Sequence, residues 1–113
     1  MNVFELDHLV AKRSTLNKPY LEFLHVPSIS AGLYVLPAGA VDTQEPHMAD
    51  ELYYIISGRG FIQVGTESRA IQAGTVLYVE ANVEHRFHTI EEDLTILVYY
   101  AHANMQTSTM KGV

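Results

Sequence analysis

The sequence predicts an all-β domain, an antiparallel sandwich or barrel, with a short helical segment ahead of it. Three observations carry this. Runs of β-branched and aromatic residues recur with turn signals every ~8 to 12 residues. No alternation of strands with long amphipathic helices occurs that would build a parallel sheet. The 113 residues, 48% hydrophobic and 18% charged, suit one folded domain and exclude a disordered chain.

The elements follow in order. Residues 3–13, VFELDHLVAKR, have room for about two turns of helix, which the run from Ser14 to Pro19 ends. Tyr20 to Val26 sets Tyr20, Glu22 and His25 against Leu21, Phe23 and Leu24, and Pro27-Ser28 closes it. Ile29 to Leu36 is a second strand, ended by Pro37-Ala38-Gly39. Asp50 to Ser57 is the strongest strand, and Gly58-Arg59-Gly60 reads as a hairpin turn onto Phe61 to Val64. Gly65-Thr66-Glu67 turns the chain into Ser68 to Gln72, and Ala73-Gly74 turns it into Thr75 to Glu80. Residues 81–84 form a loop before His85 to Ile90, Glu91-Glu92-Asp93 reads as a charged turn, and Leu94 to Ala101 is the last strand. The boundaries are an N-terminal arm over 1–19, a β domain over 20–102 and a loose tail over 103–113.

Composition narrows the chemistry. With no cysteine there is no disulfide, thiolate metal site or thiol nucleophile, so any metal must be held by His, Asp, Glu or backbone oxygen. A net charge of −6 offers nucleic acid no basic stripe. The longest apolar runs fall far short of the ~20 residues of a membrane helix. The start, MNVFELDHL, is acidic where a signal peptide is positive, and the expected location is the cytoplasm.

Glu45, His47 and Glu51 fall close together at the start of the strongest strand, and His85 opens a later one. Residues i and i+2 of a strand share a face, so Glu45 and His47 can converge on one ion, with Glu51 in phase and His85 supplied by a neighbouring strand. Two imidazoles and a carboxylate with open positions opposite suit Fe(II), Mn(II), Ni(II), Co(II) or Zn(II). The competing reading makes His47 and Glu51 a solvated loop pair and His85 a turn cap. Parity adds Tyr53 and Ile55 to the face of Glu51 and Phe87 to that of His85, as the lining of a barrel mouth. His88 points to the opposite face, and His8, His25 and His102 read as surface or partner-contact residues. The remaining tyrosines read as ordinary strand residues.

These segments resemble the two cupin motifs. Gly39 is followed by AVDTQ, then Glu45-Pro46-His47, MAD, Glu51, LYYIIS and Gly58; Gly74 is followed by TVLYV, then Glu80-Ala81-Asn82, Val83-Glu84, His85, RFH and Thr89. The spacing is kept over residues 39–89. Four positions depart: Glu45 stands for the first histidine, Glu80 for the proline, Asn82 for a glycine and Thr89 for the asparagine. The resemblance implies a jelly-roll, double-stranded β-helix barrel and a divalent metal, Fe, Mn, Ni, Co or Zn, held by His47, Glu51 and His85. Glu45 is then a fourth ligand, or a free catalytic base, or it turns away and Gln44 or water takes its place; a metal-free relic pocket is the remaining reading. The expected function is a metal-dependent dioxygenase or isomerase on a small organic substrate. The alternative is a non-catalytic module that binds or senses a small ligand. A homodimer is expected through the edge strand Tyr20 to Val26.

Overall fold

The computed structural model describes residues 1–46 and 48–102, so His47 and the tail 103–113 lie outside the described residues. The helix α1 spans Leu6–Ser14, and six strands follow: β1 Tyr20–His25, β2 Ile29–Leu36, β3 Asp50–Val64, β4 Glu67–Gln72, β5 Val76–Val79 and β6 His85–Ala101. Every pairing is antiparallel, in the order β1-β2-β6-β3-β4, with β5 pairing the first part of β3 on the side away from β6. No helix among the described residues is long and apolar enough to cross a membrane.

Two long strands build both walls of the barrel. The first part of β3 pairs with β5 and with the end of β6, while its last part pairs with β4 and with the start of β6. The register slips between Ile55 and Phe61, where both strands bend from one wall to the other. Two expected turns are thereby corrected. Gly58-Arg59-Gly60 is a bend inside β3: Gly58 has φ +91°, and a side chain there would meet the carbonyl oxygen of Asp93 at 2.1 Å. The acidic run 91–93 belongs to β6, where Glu91 and Glu92 flank Arg59 at 3.5 and 4.0 Å. A glycine that turns a chain and one that bulges a strand look alike in sequence.

Strand alternation sorts the side chains. Tyr53, Ile55, Ile62, Phe87, Leu94, Ile96 and Val98 are buried and pack in the main core. On the outer face of β1 and β2, Leu21 and Leu33 pack with Leu9 of α1, so the helix lies against that face through Leu9. Two departures from the cupin motif carry left-handed backbone: Asn82 at φ 66° and Thr89 at φ 48°. Asparagine tolerates this region, whereas a β-branched threonine is strained there. Thr89→Asn is therefore expected to raise stability by about 0.5–1 kcal/mol, read as a higher melting temperature; an unchanged or lower one contradicts the strain.

Candidate functional site

Two strands and one loop bring polar groups together on the inner face. Glu51 and Tyr53 share the inward face of β3, and His85 opens β6 on the same side; all three are 3% exposed or less. The His85 Nδ1–H donates to the Val83 carbonyl at 2.8 Å, which fixes the ring and directs Nε2 inward. Nε2 lies 3.5 Å from Glu51 Oε2. The Tyr53 hydroxyl sits between them: it donates to Glu51 Oε2 and lies 2.9 Å from His85 Nε2 and 3.2 Å from Gln44 Oε1.

The loop before β3 is organised by Asp42, which no motif or strand alternation marks in the sequence. It is 7% exposed and accepts from the Tyr34 hydroxyl at 2.7 Å and the Phe87 backbone N–H at 2.8 Å. It also accepts from the Gln44 side-chain amide at 2.7 Å and the Gln44 backbone N–H at 3.2 Å. With its NH2 committed to Asp42, Gln44 turns its carbonyl oxygen toward Tyr53. Asp42 thus ties the loop to β2 and β6 and aims Gln44 at the cluster.

The electrostatics follow from burial. Burial alone would push the His85 pKa down, but the hydrogen bond and charge of Glu51, with the Val83 carbonyl and Asp42, lift it above its ordinary value. Burial, then the Glu51 charge, pushes Tyr53 far up, so its phenol stays protonated and acts as a donor. Burial also raises Tyr20, Tyr34 and Tyr100.

A cavity of about 640 Å³ opens beside this cluster, lined in part by Tyr20, Tyr34, Gln44, Tyr53, Val98 and Tyr100. Its size suits a small organic ligand. Of the three residues expected at the mouth, Tyr53 lines it. Ile55 and Phe87 do not: they are 0% and 1% exposed in the closed core, because the inward face of a barrel strand fills the core as well as the mouth. Glu45 is exposed and lies on a second, more polar hollow with Gln63, Glu84, His85 and Arg86. Of the expected metal ligands, Glu51 and His85 are brought together, and His47 lies outside the described residues. Among the described residues no group of three or more His, Asp or Glu is placed to hold a metal ion.

Glu51, Gln44 and His85 are donor types that a divalent cation accepts, and among the described residues they do not make a complete set. Glu51 Oε2, Gln44 Oε1 and His85 Nε2 all approach one hydroxyl, so a single phenolic proton stands where three lone-pair-bearing atoms converge. Oxygen and imidazole nitrogen around one point is the chemistry that Fe(II), Mn(II) or Zn(II) accepts.

Fold and site together define a small antiparallel β-barrel with a carboxylate–imidazole–phenol cluster beside an inner cavity. A family model described as Cupin domain matches residues 32–100, and the chain belongs to the cupin family. It is 46% identical over 101 residues to uncharacterized protein SCO3923 of Streptomyces coelicolor, covering 89% of this chain and 96% of that one. The structure of a Cupin 2 conserved barrel domain protein from Salinispora arenicola superposes with a TM-score of 0.74 at 17% identity, over 100% of this chain and 98% of that one. The DMSP lyase DddQ of Ruegeria pomeroyi superposes with a TM-score of 0.69 at 19% identity, over 76% of this chain and 47% of that one. The chain thus spans about half of the lyase, and these structural likenesses concern the fold.

Proposed function

We propose that this cupin holds a divalent metal ion through Glu51 and His85, with His47 as the further ligand that the family motif supplies, and acts on a small organic substrate in the adjoining cavity. The observation that carries the reading is the convergence of Glu51, His85 and Gln44 on the Tyr53 hydroxyl at the cavity wall. Bound there, the ion would act as a Lewis acid toward a substrate oxygen. Tyr53, held protonated by burial and the Glu51 charge, is placed to give a hydrogen bond to a substrate oxygen in the cavity, and Glu51 is the carboxylate that accepts its hydrogen bond in the absence of a ligand. Val83 holds the His85 ring in position, and Asp42 holds Gln44.

This arrangement favours proton-transfer chemistry, an isomerisation or elimination on a substrate with an acidic C–H, and the lyase relative is compatible with that class. Glu45, expected as the base, lies on the outer hollow and does not line this cavity. The dioxygenase expectation has no separate observation in its favour, and a non-catalytic sensor is the outcome if metal and ligand bind without turnover.

The pH dependence tests the site. Metal binding requires neutral His85, and Glu51 raises its pKa, so affinity for Mn(II) or Zn(II) is expected to fall with pH from above the unperturbed value of about 6.5. The metal-free protein should run the other way. A group whose pKa is raised on folding contributes stability that is complete below the unfolded value and is lost as pH rises through the folded one. Calorimetric titration and thermal melts of tag-free protein between pH 5.5 and 8.5 check both slopes; flat profiles contradict the assignment.

We also infer a homodimer. Leu52 opposite Tyr78 and Tyr54 opposite Val76 form an exposed apolar patch on the outer face of β3 and β5, and β1 leaves an open edge. Light scattering is expected to give a dimer, with Tyr78→Glu shifting it toward monomer; a concentration-independent monomer of the parent protein contradicts this.

A further inference from the structure

The large cavity has a second polar end. Glu22, His25, Ser30 and His102 line it and are joined by hydrogen bonds. In the strand register His25 lies opposite Ser30, Ser30 opposite Tyr100, and Tyr100 opposite Glu51. The four residues thus form one row across the sheet, and three strand spacings put His25 roughly 14 Å from Glu51. A bulge in β1 between Glu22 and Leu24 brings His25 onto the face of Glu22.

The hydrogens of this cluster follow from one charge. The Glu22 carboxylate faces His25 Nδ1 at 2.7 Å, so that nitrogen carries the hydrogen. Ser30 Oγ lies 2.9 Å from the same nitrogen and accepts from it; its own proton then goes to His102 Nε2 at 2.6 Å. His102 in turn holds its hydrogen on Nδ1 and donates to the Pro27 carbonyl at 3.2 Å. In this assignment the donors are directed within the cluster. What it offers a ligand is acceptor capacity: the rest of the Glu22 carboxylate and, in the neutral ring, His25 Nε2.

The remainder of the lining points the same way. Among its described residues there is no lysine or arginine, and four are tyrosines: Tyr20, Tyr34, Tyr53 and Tyr100. Tyrosine ring faces attract cations, by about 0.5–1 kcal/mol at exposed sites, and the Glu22 and His25 side chains are 44% and 69% exposed. We propose that the cavity binds a small organic cation, a protonated or quaternary amine, with its positive group at the Glu22–His25 end. The proposal rests on the reading above only in taking this cavity as the ligand site, and it does not require the metal.

Calorimetric titration of the metal-free protein in chelator tests it with matched probes. Pentan-1-amine is compared with pentan-1-ol and pentanoate, and choline with its uncharged carbon isostere, 3,3-dimethylbutan-1-ol. The cations are expected to bind about tenfold or more tightly than their neutral or anionic partners, a difference of about 1.4 kcal/mol. Glu22→Gln should reduce the cation preference of each pair, leaving what the tyrosine faces contribute, with Glu22→Ala as a second variant should Glu22→Gln not fold. Equal binding of alcohol and amine, stronger binding of the carboxylate, an undiminished cation preference in a folded Glu22 variant, or no binding by any probe overturns it. Cation binding without metal binding would remove only the metal-site reading; metal binding without cation binding would remove only this one.

Discussion

Replacement of His85 by alanine is expected to lower divalent-metal affinity by about 100-fold or more. Loss of an outer partner of a metal ligand alone typically costs about 10- to 100-fold, and His85 is placed as a direct ligand. Its Nδ1–H is held by Val83, and its Nε2 faces Glu51 inside the barrel, so no neighbouring imidazole among the described site residues can substitute for it. The variant also leaves the Glu51 carboxylate buried beside Tyr53 without its imidazole partner, which costs stability. Glu51→Gln is the complementary variant: it keeps the shape, removes the charge and should weaken metal binding while lowering the His85 pKa. Titrations of parent and variant proteins, with folding confirmed by circular dichroism, check both. Parent-like affinity in both folded variants would mean the ion is held elsewhere or not at all.

The second large effect is on stability. Asp42→Ala is expected to cost about 3–5 kcal/mol, because a buried donor left without an acceptor costs roughly 1–3 kcal/mol and bonds to a charged acceptor are the stronger ones. Asp42 holds the Tyr34 hydroxyl, the Phe87 backbone N–H and both donors of Gln44. The Gln44 donors lie at a partly exposed loop and can recover water, so Tyr34 and Phe87 set most of the cost. Urea denaturation measures it. Asp42→Asn should cost less, since one amide oxygen remains to accept, and should still disturb Gln44. A cost under about 1 kcal/mol for Asp42→Ala would show that the loop is held by other means.

Much of this site follows from a period of two. Alternation placed Glu51, Tyr53 and Ile55 on one face and His85 with Phe87 on another, and these residues are buried together. What alternation cannot give is depth along the barrel axis, so Ile55 and Phe87 were expected at the mouth and lie in the core. It also cannot give partners far apart in the chain. Tyr20, Tyr34 and Tyr100 read singly as strand tyrosines, and they meet only through the β1-β2-β6 register. Ser30 and His102 are 72 residues apart and touch at 2.6 Å, a contact no local spacing foretells. His25 is exposed, in keeping with its reading as a surface residue, and its link to His102 through Ser30 is what spacing does not give. Asp42 sits in an irregular loop without periodicity, and its only sequence signal was a carboxylate between two apolar strands. The bend at Gly58 is indistinct from a turn in sequence for a physical cause as well: positive φ serves a turn and a bulge equally.

The most direct test of the metal-site account is an anomalous-scattering map from crystals of the tag-free protein soaked in Mn(II). The account predicts one strong peak about 2.0–2.2 Å from both His85 Nε2 and a Glu51 carboxylate oxygen, with Tyr53 beside it. A map with no peak there, or with its peak at the Glu22–His25–His102 end of the cavity, would contradict it.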